Sequence, residues 1–226
     1  MGAILKTGIC TYCEKERKIT RDHIPPKGIY PKPRPDCMTW VPACEKCNGD
    51  ASKDDEYFRL VVAARGEANK NNAAKKTMQP VIRSLGKANA KGYSRRIYSS
   101  IDSRNVISRG GIFLQDQIVM DADLDRLLSV VSRTTYGLHV LDFGEKVPDD
   151  CEIESFPLNQ ASIDADNSVE QLVAHAAGTE PHVIDEDVFT YWKIHPDECV
   201  NMSFWVYEFY KTACFASLVR PKTVAE

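Results

Sequence analysis

The chain has 226 residues, 43% of them hydrophobic, enough for one large domain or two small ones around a real core. No apolar run approaches the roughly 18 residues of a membrane-spanning helix and no signal-peptide pattern opens the chain, so a cytoplasmic protein without a membrane partner is expected. Residues 1–120 hold 22 Lys and Arg against 12 Asp and Glu, whereas the remainder holds 7 against 20, and a basic first half suits a polyanion because cations near phosphates release condensed counterions.

Residues 1–53 are rich in Cys, Pro and Gly, a composition of loops and a hairpin pinned by metal. From Asp54 the pattern turns helical, with Tyr57, Leu60, Val61 and Ala64 at spacings of three and four, ending at Gly66. Residues 67–103 read as mainly helical and basic, with breaks before Pro80 and near Gly92. Lys75, Lys76, Arg83, Lys87, Lys91, Arg95 and Arg96 are candidate phosphate contacts. After Arg109-Gly110-Gly111 come a strand over 112–120, a helix over 121–135 and a strand over 138–143. A loop over 147–166 precedes a short helix over 168–177 and three strands over 189–194, 202–210 and 213–219. Trp192, Phe204, Trp205, Tyr207 and Tyr210 are expected to form a packed strand core there. The fold class is α+β, divided as a zinc-stabilised domain over 1–66, a basic helical segment over 67–105 and an acidic α+β region over 106–226.

Eight cysteines occur, and Cys10, Cys13, Cys44 and Cys47 form two pairs at CxxC spacing. A reducing cytosol disfavours disulfides, and each short loop can bring two thiolates onto one tetrahedral ion, so the four read as a structural zinc site. Cys37, Cys151, Cys199 and Cys214 are expected to be buried small hydrophobes, and His139, His175, His182 and His195 surface or core residues. Between the pairs lies Thr20-Arg21-Asp22-His23-Ile24-Pro25-Pro26-Lys27, and Asn48 follows the second pair. Asp22 and Asn48 offer hard oxygen ligands to Mg2+ or a similar divalent ion, and His23 is a candidate general base.

The run CxxC, Asp-His-Ile-x-Pro and Val-Pro-Ala-Cys-x-x-Cys-Asn resembles the HNH family of His-Me finger nucleases, and is similar in motif order to the phage endonuclease VII type. The resemblance covers residues 10 to about 60. It implies a ββα-metal domain stapled by zinc on Cys10, Cys13, Cys44 and Cys47, a catalytic ion on Asp22 and Asn48, and His23 as the base. It also implies metal-dependent hydrolysis of phosphodiester bonds in DNA. Nothing in the chain reads a 2′ hydroxyl, so the preference for DNA over RNA rests on the resemblance alone. The family's middle asparagine aligns with Thr39, and its acidic position after Asn48 has Asp50, Asp54 and Glu56 as unranked candidates. Two other readings are open to the same residues: a zinc-stabilised nucleic-acid-binding module without catalysis, and a protein-interaction adaptor. The acidic C-terminal region has three readings open to it: recognising a protein partner, restraining the nuclease, or forming a homodimer.

Overall fold

In the computed structural model, which describes residues 7–87, 91–108, 112–196 and 201–222, the chain has a mixed α+β architecture. Cys199 and the Arg109-Gly110-Gly111 run lie outside the described residues. Strands β1 (Thr7–Ile9), β2 (Glu16–Ile24) and β3 (Thr39–Cys44) form an antiparallel sheet in that order. The register of β2 on β3 runs from Ile19 opposite Cys44 to Ile24 opposite Thr39.

Helix α1 (Glu45–Ala64) leaves β3 directly, with Cys44 at its N-cap. It therefore starts at Glu45 and not near Asp54. Apolar periodicity missed the first turns because they are polar and largely exposed, and Tyr57 and Phe58 are the first of its residues to be buried. Helix α2 (Asn72–Leu85) contains Pro80, where a break was expected. Pro80 is exposed, so the backbone bond it cannot make is lost on the solvent side, while Ala73, Ala74, Thr77 and Val81 hold the opposite face. The break expected near Gly92 is present: α2 ends at Leu85, and helix α3 (Lys91–Ser99) opens one residue before that glycine. Strands β4 (Ile101–Ile107) and β5 (Phe113–Met120) then pair as an antiparallel hairpin. The expected strand over 112–120 is present, whereas 101–103 is strand and not the end of a helix.

Helix α4 spans Leu124–Phe143, which overturns the strand expected over 138–143. Leu127, Val130, Val131, Thr134 and Leu138 are buried at spacings of three and four, so one apolar stripe crosses the supposed boundary. The helix stops at Gly144, whose φ of 71° is the left-handed geometry of a C-cap glycine.

The remaining strands, β6 (Cys151–Pro157), β7 (His182–Asp185), β8 (Phe189–Ile194), β9 (Ser203–Phe209) and β10 (Ala213–Pro221), form one antiparallel sheet ordered β6-β10-β9-β8-β7. β6 lies in the expected loop, as an edge strand beside β10. Between β6 and β7 run helices α5 (Gln160–Ala165) and α6 (Asn167–Ala177). Side chains alternate along β9: Trp205, Tyr207 and Phe209 join the main core, and Phe204 and Val206 join a second cluster with Ala176 and Leu172 of α6. Both faces of the central strand are covered. The main core also includes Ile24, Phe58 and Leu138, so apolar burial is continuous from β2 through α1 and α4 to the sheet.

A chain of buried hydroxyls ties α4 to that sheet. Thr135 Oγ1 lies 2.7 Å from the Tyr207 hydroxyl and 2.8 Å from Ser217 Oγ, and Ser217 continues to Ser155 at 2.7 Å. Each buried oxygen has a partner, which is what makes such a network tolerable in an apolar setting. No helix among the described residues is long and apolar enough to cross a membrane.

Candidate metal centre and the Asp22 network

The loop from Cys10 to Lys15 is a tight knuckle. Glu14 N–H donates to Cys10 O at 2.9 Å, Cys10 N–H donates to Lys15 O at 3.1 Å, and Glu14 adopts a φ of 55° to close the turn. Thr11 N–H donates to Pro42 O at 2.8 Å, fastening the knuckle to β3. The second cysteine pair spans the N-cap and first turn of α1, and the sulfurs of Cys10, Cys13, Cys44 and Cys47 all lie within 4.8 Å of one another.

These residues fit a metal ion such as zinc. Tetrahedral Zn–S bonds of about 2.3 Å place their sulfurs about 3.8 Å apart, and Cys13 Sγ and Cys44 Sγ are 3.9 Å apart. Cys44 N–H donates to Cys10 Sγ at 3.3 Å, a bond that favours thiolate. Burial raises the Cys10 thiol pKa, but backbone hydrogen bonds from Cys44, Cys13 and Tyr12 outweigh it and bring the value down to about 7. Burial, reinforced by the neighbouring sulfurs, pushes Cys47 up to about 12. A cation among the four sulfurs would let all of them ionise, Cys47 included. Cys37 stands apart, exposed, with its thiol donating to Ile184 O at 3.3 Å. Cys151 is buried and Cys214 half-buried, close to expectation.

Asn48, in the first turn of α1, reaches back to β2, where its Nδ2 donates to Thr20 Oγ1 at 2.8 Å. That contact brings Asn48 to the strand that carries Asp22. Asp22 is only 3% exposed, and two donors share its Oδ2: the Tyr12 hydroxyl and Arg133 Nη2, each at 2.5 Å. Arg133 belongs to α4. The same Nη2 lies 3.5 Å from Asn48 Oδ1, and Nη1 lies 3.2 Å from Asp55 Oδ1. Burial opposes the charge of Arg133, but Asp22, Tyr12 and Asp55 outweigh it and hold the guanidinium protonated. Burial pushes the Asp55 carboxyl up to about 6 in spite of Arg133, and it raises the Tyr12 hydroxyl, with the Asp22 charge adding to the effect.

A guanidinium therefore lies between the two oxygens that the family resemblance assigns to a divalent ion. As arranged, Asp22 and Asn48 do not fit a second cation. Of the acidic candidates after Asn48, Asp54 pairs with Arg126 at 2.7 Å, and Asp50 and Glu56 are exposed. The residue that joins the network is Asp55. Neither it nor Arg133 nor Tyr12 was singled out by the sequence.

His23 follows Asp22 on β2, and consecutive strand residues project to opposite faces. It is half-buried and sits across from Trp40 in register. Burial lowers its pKa, and the nearby charges of Lys27, Arg34 and Arg21 add to that against the opposing pull of Asp22. The Arg21 guanidinium stacks 4.8 Å from the centre of the Trp40 ring. Thr39, which aligns with the family's middle asparagine, donates its hydroxyl to Ile24 O at 2.6 Å and so fixes the backbone just after His23. The site thus has two faces, a buried one organised by Arg133 and a basic, aromatic one around His23. Compared with protein-family models, with curated proteins and with solved structures, the chain matches none of them at a significant level.

Proposed function

We propose that the chain is an HNH-type endonuclease that hydrolyses phosphodiester bonds of DNA, with His23 as the general base. The observation that supports this most is a β2–β3–α1 unit closed by four clustered cysteines, in which Asp22 and His23 are neighbours on β2 and Asn48 of α1 reaches back to the same strand. A nucleic-acid-binding module needs the cysteines and the cations but has no need for that trio. The basic surroundings of His23, with Lys27, Arg34 and Arg21, suit an approaching phosphate. A neutral imidazole there would take the proton of the attacking water, a contribution of roughly 10²- to 10⁴-fold.

A second reading is favoured by one specific contact. Because Arg133 engages Asp22 and Asn48, the same unit would bind nucleic acid without cutting it for as long as that arginine stays in place. Cleavage of supercoiled, single-stranded and branched DNA with Mg2+ or Mn2+, beside His23→Ala and a chelated control, separates the two. The nuclease reading expects cutting by the wild type and a loss of at least about 10²-fold in the variant. DNA binding with no cutting under any condition would leave the binding module.

A further inference from the structure

Arg133 occupies the ground where the proposed nuclease would need a divalent cation, and it comes from outside the zinc-closed unit. Its guanidinium fans across three acceptor side chains, Asp22 and Asn48 through Nη2 and Asp55 through Nη1. A purely structural arginine at this depth is expected to have every donor satisfied. Among the described residues the buried Nε of Arg133 has no hydrogen-bond partner, as is also true of Arg59 and Arg220, and the Asn48 contact stands at the long limit of 3.5 Å. The guanidinium is matched to the two carboxylates and only loosely to the Asn48 oxygen. A divalent ion would offer Asp22 and Asn48 a stronger positive charge, and hard oxygen donors are what such an ion takes. The arginine is also placed from a distance: Thr135, two positions further along α4, is bonded to Tyr207 and Ser217 of the C-terminal sheet.

We infer that Arg133 is a tethered cation, delivered by the C-terminal half, that closes the Asp22–Asn48 site until a divalent ion displaces it. The inference rests on the nuclease reading and gives the acidic half of the chain a role in controlling the basic half. Arg126, two helical turns before Arg133, keeps α4 seated on α1 through Asp54 at 2.7 Å. Displacement is therefore a swing of one side chain and does not require the helices to part.

The test uses the full chain with its zinc retained and measures Mn2+ binding by calorimetry or by loss of the free-ion paramagnetic resonance signal, alongside DNA cleavage. Arg133→Met should bind one Mn2+ at least about tenfold more tightly than wild type, and Asp22→Asn added to that variant should abolish the gain. Should Arg133→Met fold poorly because Asp22 is left buried and unpaired, Asp55→Asn carries the test. It loosens one anchor of Arg133 without touching either oxygen of the site, and a smaller tightening is expected. Equal Mn2+ affinity in the wild type and in every variant that folds overturns the inference, whatever the cleavage result. A gain in Mn2+ binding with no cutting by any form keeps the closure and sinks the nuclease reading. Cutting by wild type with no gain in either assay on freeing the site does the reverse.

Discussion

Around the four cysteines the described residues bury little: Cys10, Ile19, Ala43 and Cys44, with Tyr12, Cys13 and Cys47 partly buried against them. The face of the C-terminal sheet toward α4 and α1 buries Trp205, Tyr207, Phe209, Phe189 and Phe215 in one continuous core. Aromatic side chains remove 150–250 Å² each from water, so such a core is self-sufficient. A few small residues and two knuckles are not, and below a certain apolar content a small unit depends on a metal or a cross-link. The comparison teaches where each region can draw its order from: a four-cysteine cluster able to hold a metal ion at one end and apolar burial at the other, with α1 and α4 belonging to both.

The largest effect should follow from taking the ion away. Structural zinc contributes roughly 10 to 16 kcal/mol in small fingers, so Cys47→Ser or a strong chelator should release one equivalent of zinc and unfold the knuckle and hairpin. Hydrogen exchange should then become fast in β1, β2 and the first turns of α1 and stay slow in β9. A protein that is metal-free as purified and protected in both regions would remove the centre. Equal loss of protection in β9 would mean that the two regions do not differ as their cores suggest.

A smaller effect should come from the joint between them. Gly137 lies on α4 against β2, and a Cβ there would stand 2.6 Å from Ile24 Cγ1 and 2.7 Å from Ile24 Cδ1. Ile24 is 2% exposed and has little freedom to turn away, so Gly137→Ala should overpack the contact at a cost of about 1–3 kcal/mol. The gain in helix propensity on leaving glycine, about 1 kcal/mol, opposes this and does not cancel it at a contact this short. Chemical denaturation checks the sign, and unchanged zinc content would confirm that the damage stays at the joint. A stabilised variant would show that β2 and α4 are less tightly apposed.

How much of this was legible beforehand follows from the same physics. The three last strands were readable because Phe189, Tyr191, Trp205, Tyr207 and Phe215 crowd short runs with aromatic and β-branched neighbours. The cysteine cluster was readable because CxxC spacing is a local property. Strand 138–143 was misread because a short apolar run carries no period of its own, and only the burial of Val131, Thr134 and Leu138 along one stripe extends the helix. The Asp22 network was out of reach for a different reason. Arg133 lies 111 positions from Asp22 in the sequence, and no local pattern relates them. The available hint was that Arg126 and Arg133 stand two helical turns apart on a helix that packs against α1, where Asp54 and Asp55 adjoin each other. That hint needs the pairing of α1 with α4, which is tertiary information.

The smallest effect expected is a pH dependence inside the apolar region. His139 is completely buried, and neither ring nitrogen has a hydrogen-bond partner among the described residues. Its ring meets Phe143 edge-on with centres 4.6 Å apart. Burial lowers its pKa from the ordinary value, His195 adds to that, and Asp142 and Glu145 pull the other way. The unfolded chain holds a proton on this residue below about pH 6.5, while the folded chain resists it. Between those two values the unfolded state binds more protons, so stability is full above about pH 6.5 and declines as pH falls toward the lowered folded value, levelling off beneath it. His139→Leu should flatten that decline, read as the difference in urea midpoint between pH 7.5 and 5.5. It should also cost little at pH 7.5, because an imidazole with no partners gives up no hydrogen bond on replacement. Identical pH slopes in the two proteins would place the titrating group elsewhere, and a large loss at pH 7.5 would mean that the imidazole has a partner, such as a buried water, that the described residues do not supply.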